Sequence, residues 1–229
     1  PTFIKEYSLK HTSSDVLAIA NAYNLQRFHL VGHDWGSSVG WAFIAEHPER
    51  LYSWTSLSIP HMKAFQEAYR SDFDQQRKSK YIKFFNMPFF PELYLSYNGY
   101  NNLKNIWSAH DDKEKEAYLS VFRQSGALRS ALNWYRANIG RHRNLTDHIN
   151  FGIVEVPSLL IWGNMDMAIG RKSIVLNKQY MAGPYNLLEL YAGHWLIQES
   201  FKDVSKAIIK HIKTYSLEYY EPQLGRKKK

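Results

Sequence analysis

The chain has 229 residues, 45% of them hydrophobic, which is enough apolar material for one sizeable core with an inserted subdomain at most. Half of its formal charge of +8 comes from Arg226, Lys227, Lys228 and Lys229, so the charge reads as a solvated basic tail and no nucleic-acid partner is expected. With no Cys there is no disulfide, thiolate metal site or thiol nucleophile, and no run of about eighteen apolar residues provides a membrane span within these residues.

Thr12, Ser13, Ser14 and Asp15 offer N-caps to DVLAIANAYNL, where Val16, Leu17, Ala20 and Tyr23 share a face, so the first helix is predicted to start near Ser14. Residues 27–31 (RFHLV) form a short apolar strand that runs into Gly32 and Gly36 before helical spacing resumes in SSVGWAFIAEH. Residues 51–59, 156–163 and 186–191 read as further strands, and helical patterns at 173–181 and 204–215 alternate with them. That alternation predicts right-handed βαβ units and a parallel sheet. Between His61 and about Arg143 it stops. The stretch is aromatic and charged, helical at 113–122 and 126–139, and broken by MPFFPE, as expected of an inserted helical cap that covers a pocket. The predicted fold class is α/β, with residues 1–60 as the first part of the core, 61–148 as the cap, 149–216 as the second part of the core and 217–229 as a basic tail.

The strand-to-helix turn reads Gly32-His33-Asp34-Trp35-Gly36, a G-x-D-x-G in the place where G-x-S-x-G forms a nucleophile elbow. Small glycines permit such a strained turn, although an Asp between glycines also serves as a turn former or helix N-cap. Asp166 in IWGNMD and His194 in YAGHW each follow a predicted strand, where a loop carboxylate or loop histidine is also an ordinary find. Carboxyl ends of parallel strands gather on one side of a sheet, so Asp34, Asp166 and His194 are expected to converge, in the order nucleophile, acid, histidine. His142 and His148 stand six apart without a carboxylate cluster, so neither metal nor other cofactor is expected.

Together LVGHDWG, LNWYR, WGNMD and AGHW resemble the epoxide hydrolases of the α/β-hydrolase fold, relatives of the haloalkane dehalogenases, over nearly the whole chain to about Tyr215. The resemblance implies that Asp34 is the nucleophile, with Asp166 and His194 as acid and base. Attack by a carboxylate on a saturated carbon gives an ester that water can cleave, whereas attack by Ser would give an ether. Trp35 would then supply a backbone oxyanion donor. The resemblance further implies two cap tyrosines that donate to the epoxide oxygen. One is Tyr135, in Asn133-Trp134-Tyr135-Arg136. The other is Tyr81, in YIKFFNMP, which keeps Phe85 and Pro88 of the family's Y-x-x-x-F-Q-x-P but has Asn86 in place of Gln. Phe85, with Phe84, Phe89 and Phe90, either lines an apolar pocket or simply packs the cap.

The implied partner is a small-molecule epoxide, with a homodimer as the assembly to test and a cytoplasmic, detoxifying role. Two rivals stay open: a haloalkane or haloacid dehalogenase, whose leaving halide needs no proton, and a noncatalytic relative of the same fold. The HGxP loop that would supply a second oxyanion donor is absent, as are the strands expected before residue 27. The expectation is therefore a sheet lacking its N-terminal part, with residues 27–31 left as an apolar edge.

Overall fold

The structure, a computed structural model, describes residues 1–107, 110–139 and 148–216; His142 and the predicted basic tail 217–229 lie outside them. In chain order, α1 (Leu9–Ala22), β1 (Phe28–His33), α2 (Trp35–Glu46) and β2 (Leu51–Leu57) lead into a helical stretch. That stretch comprises α3 (Met62–Ser71), α4 (Phe73–Lys78), α5 (Lys80–Phe85), α6 (Phe90–Lys104), α7 (Asp112–Phe122) and α8 (Ala127–Asn138). Then come β3 (Ser158–Gly163), α9 (Arg171–Asn177), β4 (Tyr185–Leu190), α10 (Leu196–Glu199) and α11 (Phe201–Tyr215).

The strands form one parallel sheet in the order β1-β2-β3-β4, the α/β arrangement that the alternating pattern predicts. Leu57 of β2 pairs with Ile161 of β3, which pairs with Leu188 of β4. Because successive strand residues point to opposite faces, Trp54 and Leu57 serve different cores. On one face Trp54 packs with Trp41, Phe43 and Ile44 of α2 and with Leu51, Val154 and Val156. On the other, Leu57, Leu159 and Ile161 pack with Ala192, Leu196 and Val204, the last from α11. Strands β2 and β3 are buried on both faces, as their continuous apolar runs require. At the sheet edge, β1 pairs with β2 alone among the described residues, and Val31 stands exposed there.

Two compact units result: a sheet unit of residues 12–78 and 148–216, and a helical unit of residues 1–11 and 79–139. The predicted ranges 1–60 and 61–148 divide the chain differently, for identifiable reasons. Helices α3 and α4 belong with the sheet: α3 packs on α9, and the buried Gln75 of α4 bonds to Ala168 O and Gly170 N–H (both 2.8 Å). Residues 1–11 belong with the helical unit: Asn138 of α8 accepts from Leu9 N–H (2.8 Å) and donates to Tyr7 O (2.9 Å), and Tyr7 bonds to Ser130 (2.9 Å). The start of the first helix is also corrected. It begins at Leu9, not near Ser14, because Ser8 Oγ accepts from His11 N–H and takes the N-cap position, leaving Ser13 buried inside the helix.

Gly40 brings α2 against the sheet. A Cβ at that position would run into the indole of the fully buried Trp54, with no flexible neighbour to give way. Gly40→Ala is therefore expected to destabilise the chain by about 1–3 kcal/mol, read as a lower denaturant midpoint at unchanged slope; a variant as stable as the parent would contradict this packing.

Candidate active site

Asp34 lies between β1 and α2 with φ of 51° and ψ of −120°, a positive-φ backbone that costs an L residue energy. The turn is tight enough that a Cβ on Gly32 would strike the Gly36 carbonyl. Gly36 is different: among the described residues a Cβ there meets nothing, so steric need falls on Gly32 and not, as the motif suggests, on both glycines. Ser37 closes the elbow. Its Oγ lies 2.6 Å from Gly32 O and accepts from Leu57 N–H at 3.2 Å, tying the start of α2 to β1 and β2.

Asp166 follows β3 and is fully buried. Its Oδ1 accepts from the N–H groups of Ala168 (2.7 Å) and Ile169 (3.1 Å), which orients the carboxylate toward His194. His194 follows β4. Its Nδ1 lies 3.0 and 3.1 Å from the two Asp166 oxygens, and its Nε2 lies 3.1 Å from Asp34 Oδ1. One imidazole thus bridges two carboxylates. Burial opposes charge on His194, and the hydrogen bonds it donates to Asp166 and Asp34 override it, raising its pKa from 6.5 to about 10. Burial likewise pushes Asp34 up, and the bond to His194, the charges of His194 and His33 and the Trp35 backbone N–H together bring it below 3.8. About a third of the Asp34 side chain, 34%, remains exposed.

Several residues that hold this bridge were assigned no role by the motifs, His33 included although it lies inside the elbow motif. Glu199 accepts from Gly193 N–H (2.6 Å) and Trp195 N–H (3.2 Å), gripping the backbone on both sides of His194. His33 Nε2 lies 2.8 Å from the His194 carbonyl, which makes that nitrogen the donor, and Ser58 Oγ reaches the same oxygen at 3.3 Å. The Lys78 ammonium donates to the Asp166 carbonyl, and Gln75 brackets the loop that follows it. Spacing offers a partial clue for Glu199 alone, five residues beyond His194 on the next helical turn. Gln75 and Lys78 lie in the range read as cap, where no acid-loop partner would be sought.

Asp34, Trp35, Asp166 and His194 all belong to the sheet unit. Tyr81, Phe85 and Tyr135 belong to the helical unit, where they form one cluster of rings: Tyr81 and Tyr135 have centroids 5.9 Å apart, and Phe85 lies 5.4 and 5.0 Å from them. Arg136, beside Tyr135, is nearly buried and grips Glu92 with two nitrogens (2.7 and 2.9 Å) while donating to Met87 O (2.8 Å), fixing α8 to the start of α6. Among the described residues no cluster of His, Asp and Glu is arranged to hold a metal, and no helix is long and apolar enough to cross a membrane.

The family description alpha/beta hydrolase fold matches residues 1–200 of the chain. The chain is 31% identical over 220 residues to epoxide hydrolase 4 of Homo sapiens, a match that covers 91% of this chain and 59% of that protein. It is 28% identical over 220 residues to epoxide hydrolase 3 of Xenopus tropicalis, again covering 91% of this chain and 59% of the relative. The chain therefore spans about 59% of the length of these relatives. Among solved structures, a Bacillus megaterium epoxide hydrolase in complex with an inhibitor is alike in fold, with a TM-score of 0.82 at 20% identity over 93% of this chain and 78% of that chain.

The bridged imidazole makes stability depend on pH in a defined direction. A raised folded pKa means that His194 contributes stability that is complete below 6.5 and is lost as pH climbs through about 10. Asp34, depressed, contributes above 3.8 and loses that contribution as pH falls through its lower folded value. In Asp34→Asn the His194 midpoint is expected to fall well below that of the parent chain, followed by ring-proton NMR titration; an unchanged midpoint would show that Asp34 does not hold the imidazolium.

Proposed function

Because the chain belongs to the α/β-hydrolase fold family, we propose that it opens epoxides to vicinal diols through an ester on Asp34. The observation that carries this reading is the His194 imidazole lying between the Asp34 and Asp166 carboxylates, with Asp34 partly open on its elbow. A carboxylate in the nucleophile's place suits attack at a saturated carbon, and the named relatives are epoxide hydrolases.

In the first step an Asp34 oxygen bonds to one ring carbon, the carbon–oxygen bond of the ring breaks, and the departing oxygen takes a proton from Tyr81 or Tyr135. Phenol donors suit this work because they stay protonated at neutral pH yet bond strongly to a developing alkoxide. The contact between the two rings supports their acting on one substrate oxygen. Phe85, packed against both, would present an apolar wall.

The second step needs a base, and ester formation supplies the condition for it. The ester is neutral, so His194 loses one of the two carboxylates that hold its pKa high. The imidazole can then give up its Nε2 proton, which restores the phenol by way of solvent, and accept one from the water that attacks the ester carbonyl. Asp166 keeps Nδ1 protonated and the ring oriented. The Trp35 N–H, already directed at the Asp34 carboxylate, would donate to the oxyanion, and collapse of the tetrahedral intermediate releases the diol and the free carboxylate.

Assay of an aryl epoxide panel checks the reading. Asp34→Asn is expected to reduce diol formation to background, and Tyr81→Phe/Tyr135→Phe to slow epoxide opening by about a hundredfold at nearly unchanged stability. Halide release from a chlorinated alkane, with no diol from any epoxide, would assign the site to dehalogenation instead.

A further inference from the structure

α6 starts with an unusual outward face. Pro91 and Leu95 are buried, and Glu92 is held by Arg136, so one side of the helix is anchored in its unit. On the other side Phe90, Leu93 and Tyr94, at i, i+3 and i+4, are 68%, 68% and 56% exposed. Phe89 precedes them at 74% and Tyr97 follows at 73%, where the backbone leaves the helical region until Tyr100. Apolar side chains on both sides of one helix mean that the outer side also has a face to bury.

Charge identifies what it would be buried against. Phe84 of α5 meets Tyr94 edge to face (5.5 Å), which continues the apolar surface onto α5. Lys80 lies one helical turn before Phe84 and Lys83 directly before it, and both lysines are exposed. Across residues 79–104 the sole acidic residue is Glu92, already paired with Arg136. Lys80 and Lys83 thus flank an apolar stripe in a segment that holds no other acid. A second copy of the same surface would set lysine against lysine.

We propose that this stripe seats the helical unit on an anionic lipid bilayer, Phe90, Leu93 and Tyr94 entering the headgroup boundary while Lys80 and Lys83 pair with anionic headgroups. Aromatic rings with a polar edge suit that boundary, and lysines beside them add electrostatic attraction. The contact is adsorption, since among the described residues no helix is long and apolar enough to cross a bilayer. It stands independently of the epoxide reading, since it concerns a different surface and needs no turnover.

Co-sedimentation with phosphatidylcholine vesicles, either pure or containing about one third phosphatidylserine, tests it. The 229-residue chain is expected to sediment with the anionic vesicles and only weakly with the neutral ones. Phe90→Ser/Leu93→Ser/Tyr94→Ser should lower the partition coefficient about tenfold at an unchanged melting temperature, and Lys80→Glu/Lys83→Glu should do so on anionic vesicles alone. A chain ending at Gly225, without Arg226–Lys229, should bind like the parent. If the stripe variant does not fold, the lysine variant decides. Absence of sedimentation, parental binding by the lysine variant or by a folded stripe variant, or loss of binding on removal of the tail alone would each overturn the proposal. So would a dimer, seen by light scattering, that the stripe substitutions dissolve while vesicle affinity stays the same.

Discussion

The candidate site depends on one arrangement: an imidazole with a carboxylate hydrogen-bonded to each of its nitrogens. Two anions at about 3 Å hold a cation that burial alone would expel, and the cation in turn lets a carboxylate on a strained turn stay ionised. The arrangement is self-adjusting in chemical terms. In the proposed reaction an ester on Asp34 would weaken the hold on the proton, and the imidazole that is an acid in the resting site would become a base.

The sheet makes this possible by geometry rather than by local sequence. Asp34, Asp166 and His194 are separated by 132 and 28 positions along the chain, yet each follows a parallel strand, and parallel strands end on the same side. The carboxyl end of a strand is also where backbone groups lack ladder partners. Here they are taken up by Glu199, His33, Ser58 and Lys78, so the atoms that would otherwise go unsatisfied lock the loops bearing Asp166 and His194.

Much of this was legible from residue order and spacing, and the remainder was hidden for physical reasons. Apolar runs long enough to be covered on both faces marked β2 and β3, and G-x-D-x-G at a strand end marked the elbow. Four consecutive capping residues point to Ser14 as the start of α1, whereas Ser8 takes the N-cap with help from Asn138, 129 positions from Leu9. Long-range packing is also why residues 1–11 and 61–78 fall in units that the linear pattern did not assign them. Residues that grip backbone through one carboxylate or amide, such as Glu199 and Gln75, have no periodicity to betray them. The outward stripe of α6 looks in sequence like any apolar helix face; exposure alone separates it from core.

The most direct test of the central claim is a single turnover of an epoxide by the purified chain in ¹⁸O-water, followed by mass spectrometry of both the diol and the peptide containing Asp34. Attack by the Asp34 carboxylate predicts an unlabelled diol from the first turnover and ¹⁸O in the Asp34 side chain, because water enters at the ester carbonyl. Label in the diol with an unlabelled Asp34 peptide would mean that water attacks the epoxide directly, and the imidazole bridge would then serve some other chemistry.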